Sequence, residues 1–465
     1  MSSQMTLPSR IRSFFSTGYD AIRSTGKRKA ASTLLKGEDN ELKNGDRHRM
    51  LNATRSLARN FALVSWAIRK HLDYVTAFNF QMRTDDVQFN KSVERMMSDW
   101  SRPANCDAAG RHPFPAMLRM LEARRTVDGD VFVLKLQNGR LQAIEGDRIR
   151  QPDNVNDGER WFNGVRVNLA GASAEYALWN RVNDSRFEFD RRIPAQRMCH
   201  HGYFERFDQF RGISPLAAAL NSFRDVYEGI DYALAKMKVE QLFALVFYRD
   251  SGTGFPETSG SDTEGYEVDF NKSGALQLDL DPGDRAEFLK TDNPGSNTRE
   301  FMHSVLSIAL KALDLPFNFF DEAHTNFFGS RSAWLLYDRS CQPKRDSVRE
   351  LLRKITVWKF QQWILSGELR LPNGARIGDI PFEWVHVGMP WWDPAKEING
   401  SVAAIAAGLD NPYRITKEAG RGEFEDNIDA IARAQEYAAS KGVTLTYQMQ
   451  PVAYEGNSNN SRGRQ

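Results

Sequence analysis

Asp321, Glu322, Ala323 and His324 spell the DEAH sequence that marks the second nucleotide site of one helicase class. An ATPase of that kind also needs a glycine-rich loop of the form GxxxxGK[ST], because backbone amides must cradle the phosphates and a lysine must reach them. The chain has none: Gly26-Lys27 is followed by Arg28, and no apolar strand leads into it. The four letters also follow Pro316 and the polar Asn318, between two helical patterns rather than at the end of a buried strand. Nucleotide chemistry is therefore set aside. A metal site from Asp321, Glu322 and His324 lacks HExxH-type spacing. Cys199, His200 and His201 offer a nucleophile beside two bases, but neighbours on an extended segment point to opposite faces and cannot converge unaided. Asp128 and Asp130 flank Gly129 and hint at calcium; the remaining loop ligands are absent, and a turn is the simpler reading.

What positions these residues is a chain of 465 residues, long enough for two or three packing units. Hydrophobic residues make up 41% and charged residues 26%, which fits a soluble globular protein. No apolar run approaches the roughly 18 residues of a transmembrane helix, so no membrane is expected as a partner. The N-terminus lacks a continuous apolar stretch of the secretory kind. Cys106, Cys199 and Cys341 are far apart without a CxxC pair, and read as free thiols rather than a zinc site or disulfide framework. No metal and no cofactor are expected. Net charge is only +2, too balanced for a protein that grips phosphate along its whole surface. The basic stretch STGKRKAASTLLK, residues 24 to 36, reads as a solvated arm.

Periodicity then gives the elements. Asn52 to Phe78 carries Leu57, Phe61, Val64, Ile68, Leu72 and Val75 at helical spacing and predicts one amphipathic helix. A helical region follows near 89 to 125, then a hairpin turning at Asn138-Gly139 and short strands to about Cys199. After Arg211, Ser214 can cap a long helix with Pro215 in its first turn. Its apolar positions Leu216, Leu220, Phe223, Tyr227, Ile230, Leu234 and Met237 predict a seam against another helix. Residues 244 to 296 read as strands and loops. A second helix before Pro316 places Phe301, Val305, Ile308, Ala309, Ala312 and Leu313 on one face. A third, from about Ser332 to Leu365, should kink at Pro343, beyond which the stripe resumes at Val348, Leu351, Leu352, Ile355, Trp358 and Gln362. Two more helices are expected near 395 to 407 and 424 to 440.

The order of helix, strand-rich excursion, helix, aromatic loop and kinked helix resembles the portal proteins of tailed bacteriophages, specifically the lambda-like class. The resemblance spans about residue 50 to 440. It is carried by ATRSLARNFALVSWAIRKHLDYV, VDGDVFVL, IPAQRMCHHGYFERFDQFRGISPLAAAL, the run from LDLDPGDRAEFLK through LDLPFNFF with GSRSAW, and PWWDPAKEINGSVAAIAAGL. It implies an α+β portal fold assembling as a ring, usually of twelve copies, at one capsid vertex. In that scheme residues 1–50 are a basic N-terminal arm and 51–212 an α/β wing. The paired stem helices are 213–243 and 297–315, separated by a clip at 244–296. A tunnel loop at 316–331 leads into a kinked long helix at 332–366, and 367–465 form a wing and crown region with a tail.

The resemblance further implies passage of double-stranded viral DNA through the channel during packaging and ejection. Partners would be the terminase large subunit, the head-tail connector, and capsid and scaffold proteins, in the virion and in host cytoplasm during assembly. Tunnel-loop residues would be Asn318, Asp321, Glu322, His324, Asn326, Phe328, Ser330 and Arg331; relatives often carry a polar Ser-Ser pair before the arginine, while this chain has Phe327, Phe328, Gly329, Ser330 and Arg331. Stem packing would fall to Leu220, Phe223, Tyr227, Ile230, Leu234 and Met237, and partner docking at the clip to Tyr248, Arg249, Tyr266, Asp269 and Lys272. Repeated around a ring, Asp321, Glu322 and Arg331 would form rings of alternating sign, and a conduit through which DNA slides cannot be uniformly basic. The alternatives are another oligomeric phage structural protein, such as a connector or capsid subunit, and a metal-dependent DNA-processing enzyme using the 321–324 cluster.

Overall fold

The computed structural model describes residues 36–37, 41–156, 158–183, 186–242, 245–249, 284–288, 296–321, 327–372, 376–387, 394–419 and 421–443. Helix α1 is Asn44–Asn60 and α2 is Ala62–Val75. The first helix thus begins inside the segment expected to be an arm, and the single helix expected from Asn52 to Phe78 is two. The break falls at Phe61, whose φ of −109° and ψ of 109° are extended. It lets Phe61 bury its ring edge-on to Tyr227, 5.3 Å away.

Strand β1 (Phe78–Met82) follows, then α3 (Val87–Trp100), the short α4 (Pro103–Cys106) and α5 (Phe114–Asp128). The Asp86 carboxylate caps α3 by accepting from the amides of Gln88 and Phe89. The hairpin at Asn138-Gly139 forms as expected: β2 (Asp130–Lys135) pairs antiparallel with β3 (Leu141–Glu145), Lys135 opposite Leu141, and Gly139 supplies the φ of +78°. Strands β4 (Arg160–Phe162), β5 (Val165–Val167), β6 (Ser173–Arg181) and β7 (Phe187–Pro194) form a four-stranded antiparallel sheet, and β8 (Met198–Gly202) joins β2 on the side away from β3. VFVL in β2 is apolar throughout because both faces are covered: Val131 and Val133 enter the helical core, Phe132 and Leu134 the core between the sheets.

Helix α6 (Leu220–Leu242) is preceded by a 3₁₀ turn, Pro215–Ala219, capped by the Ser214 hydroxyl as the sequence suggests. Strands β9 (Leu245–Arg249) and β10 (Asp284–Phe288) pair antiparallel beyond it, and α7 (Ser296–Leu310) returns toward the body. Helix α8 (Phe327–Leu365) is 39 residues long, starts five residues earlier than expected, and continues past Pro343, which lies inside it. Its stripe buries Tyr337, Cys341, Val348, Leu351, Leu352, Ile355, Phe360 and Trp363, while Trp358 and Gln362 are only half-buried. Strand β11 (Phe382–His386) pairs with β1 across three hundred residues of sequence, Phe80 opposite Trp384, a contact that periodicity did not reveal. Helices α9 (Pro394–Ala406), α10 (Pro412–Glu418) and α11 (Phe424–Ser440) close the described chain; α9 and α11 were expected and α10 was not.

Candidate channel loop and stem

The stretch PFNFFD is docked rather than free. Phe317–Phe319 forms a 3₁₀ turn, and Phe319 lies 5.8 Å from Tyr74 on α2 and 5.4 Å from Tyr337 on α8, which contact each other at 4.9 Å. Phe320 meets Trp66, and Phe317 meets His303 of α7. Just upstream, the Lys344 ammonium donates to the Leu313 carbonyl at 3.0 Å and pairs with Asp314 at 2.8 Å, tying the end of α7 to α8. Asn318 is half-buried in this anchored turn, and the Asp321 amide donates to the Phe317 carbonyl. Downstream, Phe328, Ser330 and Arg331 belong to the first turns of α8, not to a loop as expected. Glu322, His324 and Asn326 lie outside the described residues, and so do Tyr266, Asp269 and Lys272. Among the described residues no three His, Cys, Asp or Glu side chains converge as a metal site. Tyr248 and Arg249 stand on β9 opposite Arg285 and Asp284 of β10.

The helix pair corrects the expected seam by about one residue. Of the predicted positions, Phe223 is buried and Leu220 and Met237 are half-buried, but Tyr227, Ile230 and Leu234 are 39%, 39% and 49% exposed. The inward face is instead Phe223, Val226, Gly229, Ala233 and Met237. A Cβ on Gly229 would sit 3.1 Å from the Met302 sulfur, so the helices approach closely through small residues there. On α7 and the turn after it the buried face is Leu306, Ala309, Leu310 and Leu313, with Met302 and Val305 beside it; Phe301 and Ile308, expected on the packed face, are 68% and 67% exposed. A 4,3 spacing fixes a stripe but not which partner covers it, and here the smaller side chains Gly229 and Ala233, not the larger Ile230 and Leu234, face α7.

Two buried charged nodes, not foreseen in the sequence, lock the root of this pair. His200 and His201 point to opposite faces of β8 as alternation requires, and each meets a buried carboxylate. His200 contacts Asp130 at 3.2 Å; His201 contacts Glu122 at 3.1 Å. Asp130 also takes Arg47 at 2.9 Å and Arg211 through two bonds of 2.7 and 3.0 Å. Arg211 uses its remaining donors on the carbonyls of Gly146, Ile149 and Asn163, so all five N–H groups are satisfied. Burial alone would raise the Asp130 pKa, but Arg211 and Arg47 hold it well below the carboxylate range.

Glu122 accepts from His71 at 3.0 Å and from Arg125 at 2.9 Å, and Arg125 reaches Ser347 on α8 at 2.6 Å and lies 4.0 Å over the Tyr203 ring. Burial opposes the Glu122 charge; Arg125 and the two imidazoles more than offset it and hold its pKa low. The Nδ1 of His71 is buried without a partner, so the neutral ring protonated at Nε2 fits the site. Burial, helped by Arg125, pushes His201 down to about 4. The turn reading of Asp128 and Asp130 is thereby enlarged: Gly129 turns with φ of +91°, Asp128 pairs with Arg55 at 2.6 Å, and a Cβ on Gly212 would stand 2.2 Å from the Gly129 carbonyl oxygen. Ser214, at the start of the 3₁₀ turn, donates to the Thr126 carbonyl at 2.7 Å. Among described residues these contacts weld the entry of α6 to α5, β2 and β8.

Comparison with known proteins places this architecture. A family model described as phage portal protein, lambda family, matches residues 25–343, and the chain belongs to that family. It is 24% identical over 367 residues to a probable portal protein of Halomonas phage phiHAP-1, covering 72% of this chain and 68% of that one. Among solved structures, a chain of the neck of an empty gene transfer agent (GTA) particle aligns at a TM-score of 0.48 with 13% identity, covering 80% of this chain and 94% of that one. A chain of the native particle's virion gives 0.45 and 14% over the same shares.

Proposed function

We propose that twelve copies of this chain close into a ring at one capsid vertex, through which double-stranded viral DNA enters during packaging and leaves at ejection. The observation that carries the reading is membership of the lambda portal family over residues 25–343, joined to the helix pair α6–α7. The strands beyond the stem, β9 and β10, begin the clip that faces the terminase large subunit and later the head-tail connector. The tunnel loop at 316–331 is the part that meets DNA, and of its described residues Phe319 packs on Tyr74 of α2 and Tyr337 of α8 while 327–331 open α8. The chain serves as a structural conduit and not as a catalyst. Capsid and scaffold proteins meet the body of the ring, in host cytoplasm during assembly and in the virion afterwards.

Deleting 322–326 tests the reading. Rings should form as before, since the aromatic anchor and α8 remain, while packaged or retained DNA should drop at least tenfold in a packaging assay with purified heads. Normal packaging by rings carrying the deletion would overturn the assignment of the loop.

A further inference from the structure

We propose that the free edge of β8 takes up an extended segment of a partner protein, one that alternates acidic and apolar side chains and lies beside β8 as a further strand. The inference stands apart from the ring reading and does not depend on it.

The backbone supplies the first half of the argument. Strand β2 lies between β3 and β8, so β8 has a strand on one side only. In an antiparallel pair every second residue exchanges its N–H and C=O with the residue opposite, and those between point the other way. The Tyr203 amide donates to the Gly129 carbonyl at 2.9 Å, and the Leu136 amide to the Arg140 carbonyl at 3.0 Å. These bonds fix the phase: Cys199 and His201 bond to β2, while Met198, His200 and Gly202 direct their backbone groups away from it. The Met198 amide is taken by the Ala195 carbonyl. The Met198 carbonyl and both backbone groups of His200 have no backbone partner among the described residues. Such an edge is a template for another strand.

The side chains supply the second half. A cleft of about 480 Å³ is lined by Cys199 together with Met198 and His200, residues of both faces of β8, so it opens on the edge and not on one face. Its two walls differ. On the His200 side Phe204 stands edge-on to the imidazole at 5.2 Å, and the loop after it brings the fully exposed Phe207 to the cleft. On the Cys199 side are Lys135, two residues beyond Val133 on the same face of β2, and Lys354 of α8. Burial pushes the Cys199 thiol up and these two ammoniums pull it the other way, which places both beside it. Lys135 has no carboxylate partner among the described residues. Lys354 reaches Glu350 only at 3.6 Å, and Arg353 already holds that carboxylate through bonds of 2.8 and 2.9 Å. A strand sends alternate side chains to opposite faces, so carboxylates on one face would meet the lysines and apolar groups on the other the phenylalanines. A single-stranded nucleic acid would stack on the phenylalanines, but it lacks donors and acceptors in the register of a strand edge, and two lysines match few of its phosphates.

The test is fluorescence anisotropy of the full chain with a labelled eight-residue peptide alternating glutamate and leucine. Two further versions carry N-methyl groups on one or the other alternate set of amides, only one of which faces β8 in an added strand. Saturable binding is expected, weakened by about tenfold or more when one set is methylated and unchanged when the other is. Phe207→Ala, which alters a fully exposed side chain, and Lys135→Glu combined with Lys354→Glu should each weaken it by about tenfold or more. Absence of binding, equal binding of both methylated peptides, or binding indifferent to both variants would overturn the proposal. So would tighter binding of a labelled oligothymidine with the same sensitivity to Phe207→Ala, which would assign the cleft to nucleic acid.

Discussion

At the scale of residues, the two carboxylates Glu122 and Asp130 concentrate the charge that the fold could least tolerate unpaired. Removing one member of a fully buried pair strands the other, so Arg211→Ala is expected to cost about 3–5 kcal/mol in a urea titration. Arg353→Ala, which deletes an exposed bridge to Glu350, should cost no more than ~1 kcal/mol. The histidines predict a pH dependence. His71 and His200 are also lowered by burial, and His201 titrates near 4 in the folded chain against about 6.5 when unfolded, so the unfolded state takes up protons first. Stability is complete above pH 6.5 and falls as pH drops from there through about 4; Glu122 and Asp130, held low, add their own loss only at more acidic pH. Denaturation midpoints at pH 7.5, 6 and 4.5 should trace that fall, and His201→Gln should flatten it. The alternation of His200 and His201 was legible from strand geometry. Their partners were not, because Glu122 and Asp130 lie some seventy to eighty residues away and only the fold brings them to β8.

At the scale of elements, what decides behaviour is where backbones touch. The Gly129–Gly212 crossing leaves no room for a methyl group on Gly212, and Gly212→Ala should cost on the order of 2–4 kcal/mol because backbone must move. Gly400 lies inside α9 with nothing within 4 Å, and Gly400→Ala should instead stabilise by about 0.5–1 kcal/mol. Paired thermal melts separate the two cases. Elements with sustained periodicity and a cap or a turn signal were readable: α6 behind Ser214-Pro215, the hairpin at Gly139, and α9 and α11 near their expected bounds. Unreadable were the break at Phe61, which no glycine or proline announces, and the pairing of β1 with β11, whose five-residue strands carry no signal of their partner. The start of α8 was misplaced because the phenylalanines at 327 and 328 look like the loop preceding them, while the aromatic contacts holding that loop are long-range.

At the scale of the whole molecule, Tyr227, Ile230, Leu234, Phe301 and Ile308, which periodicity places on packed faces, stand partly exposed on the single chain. The near-neutral balance, 62 lysines and arginines against 60 aspartates and glutamates, suits a passage that must not hold DNA in place. The measurement that bears most directly on this is the mass and symmetry of the purified full chain, by native mass spectrometry with negative-stain images. Twelve copies of 53.0 kDa predict a particle of about 636 kDa, closed, with an axial hole wide enough for duplex DNA. A compact monomer or dimer at concentrations where the protein is otherwise folded would contradict the account.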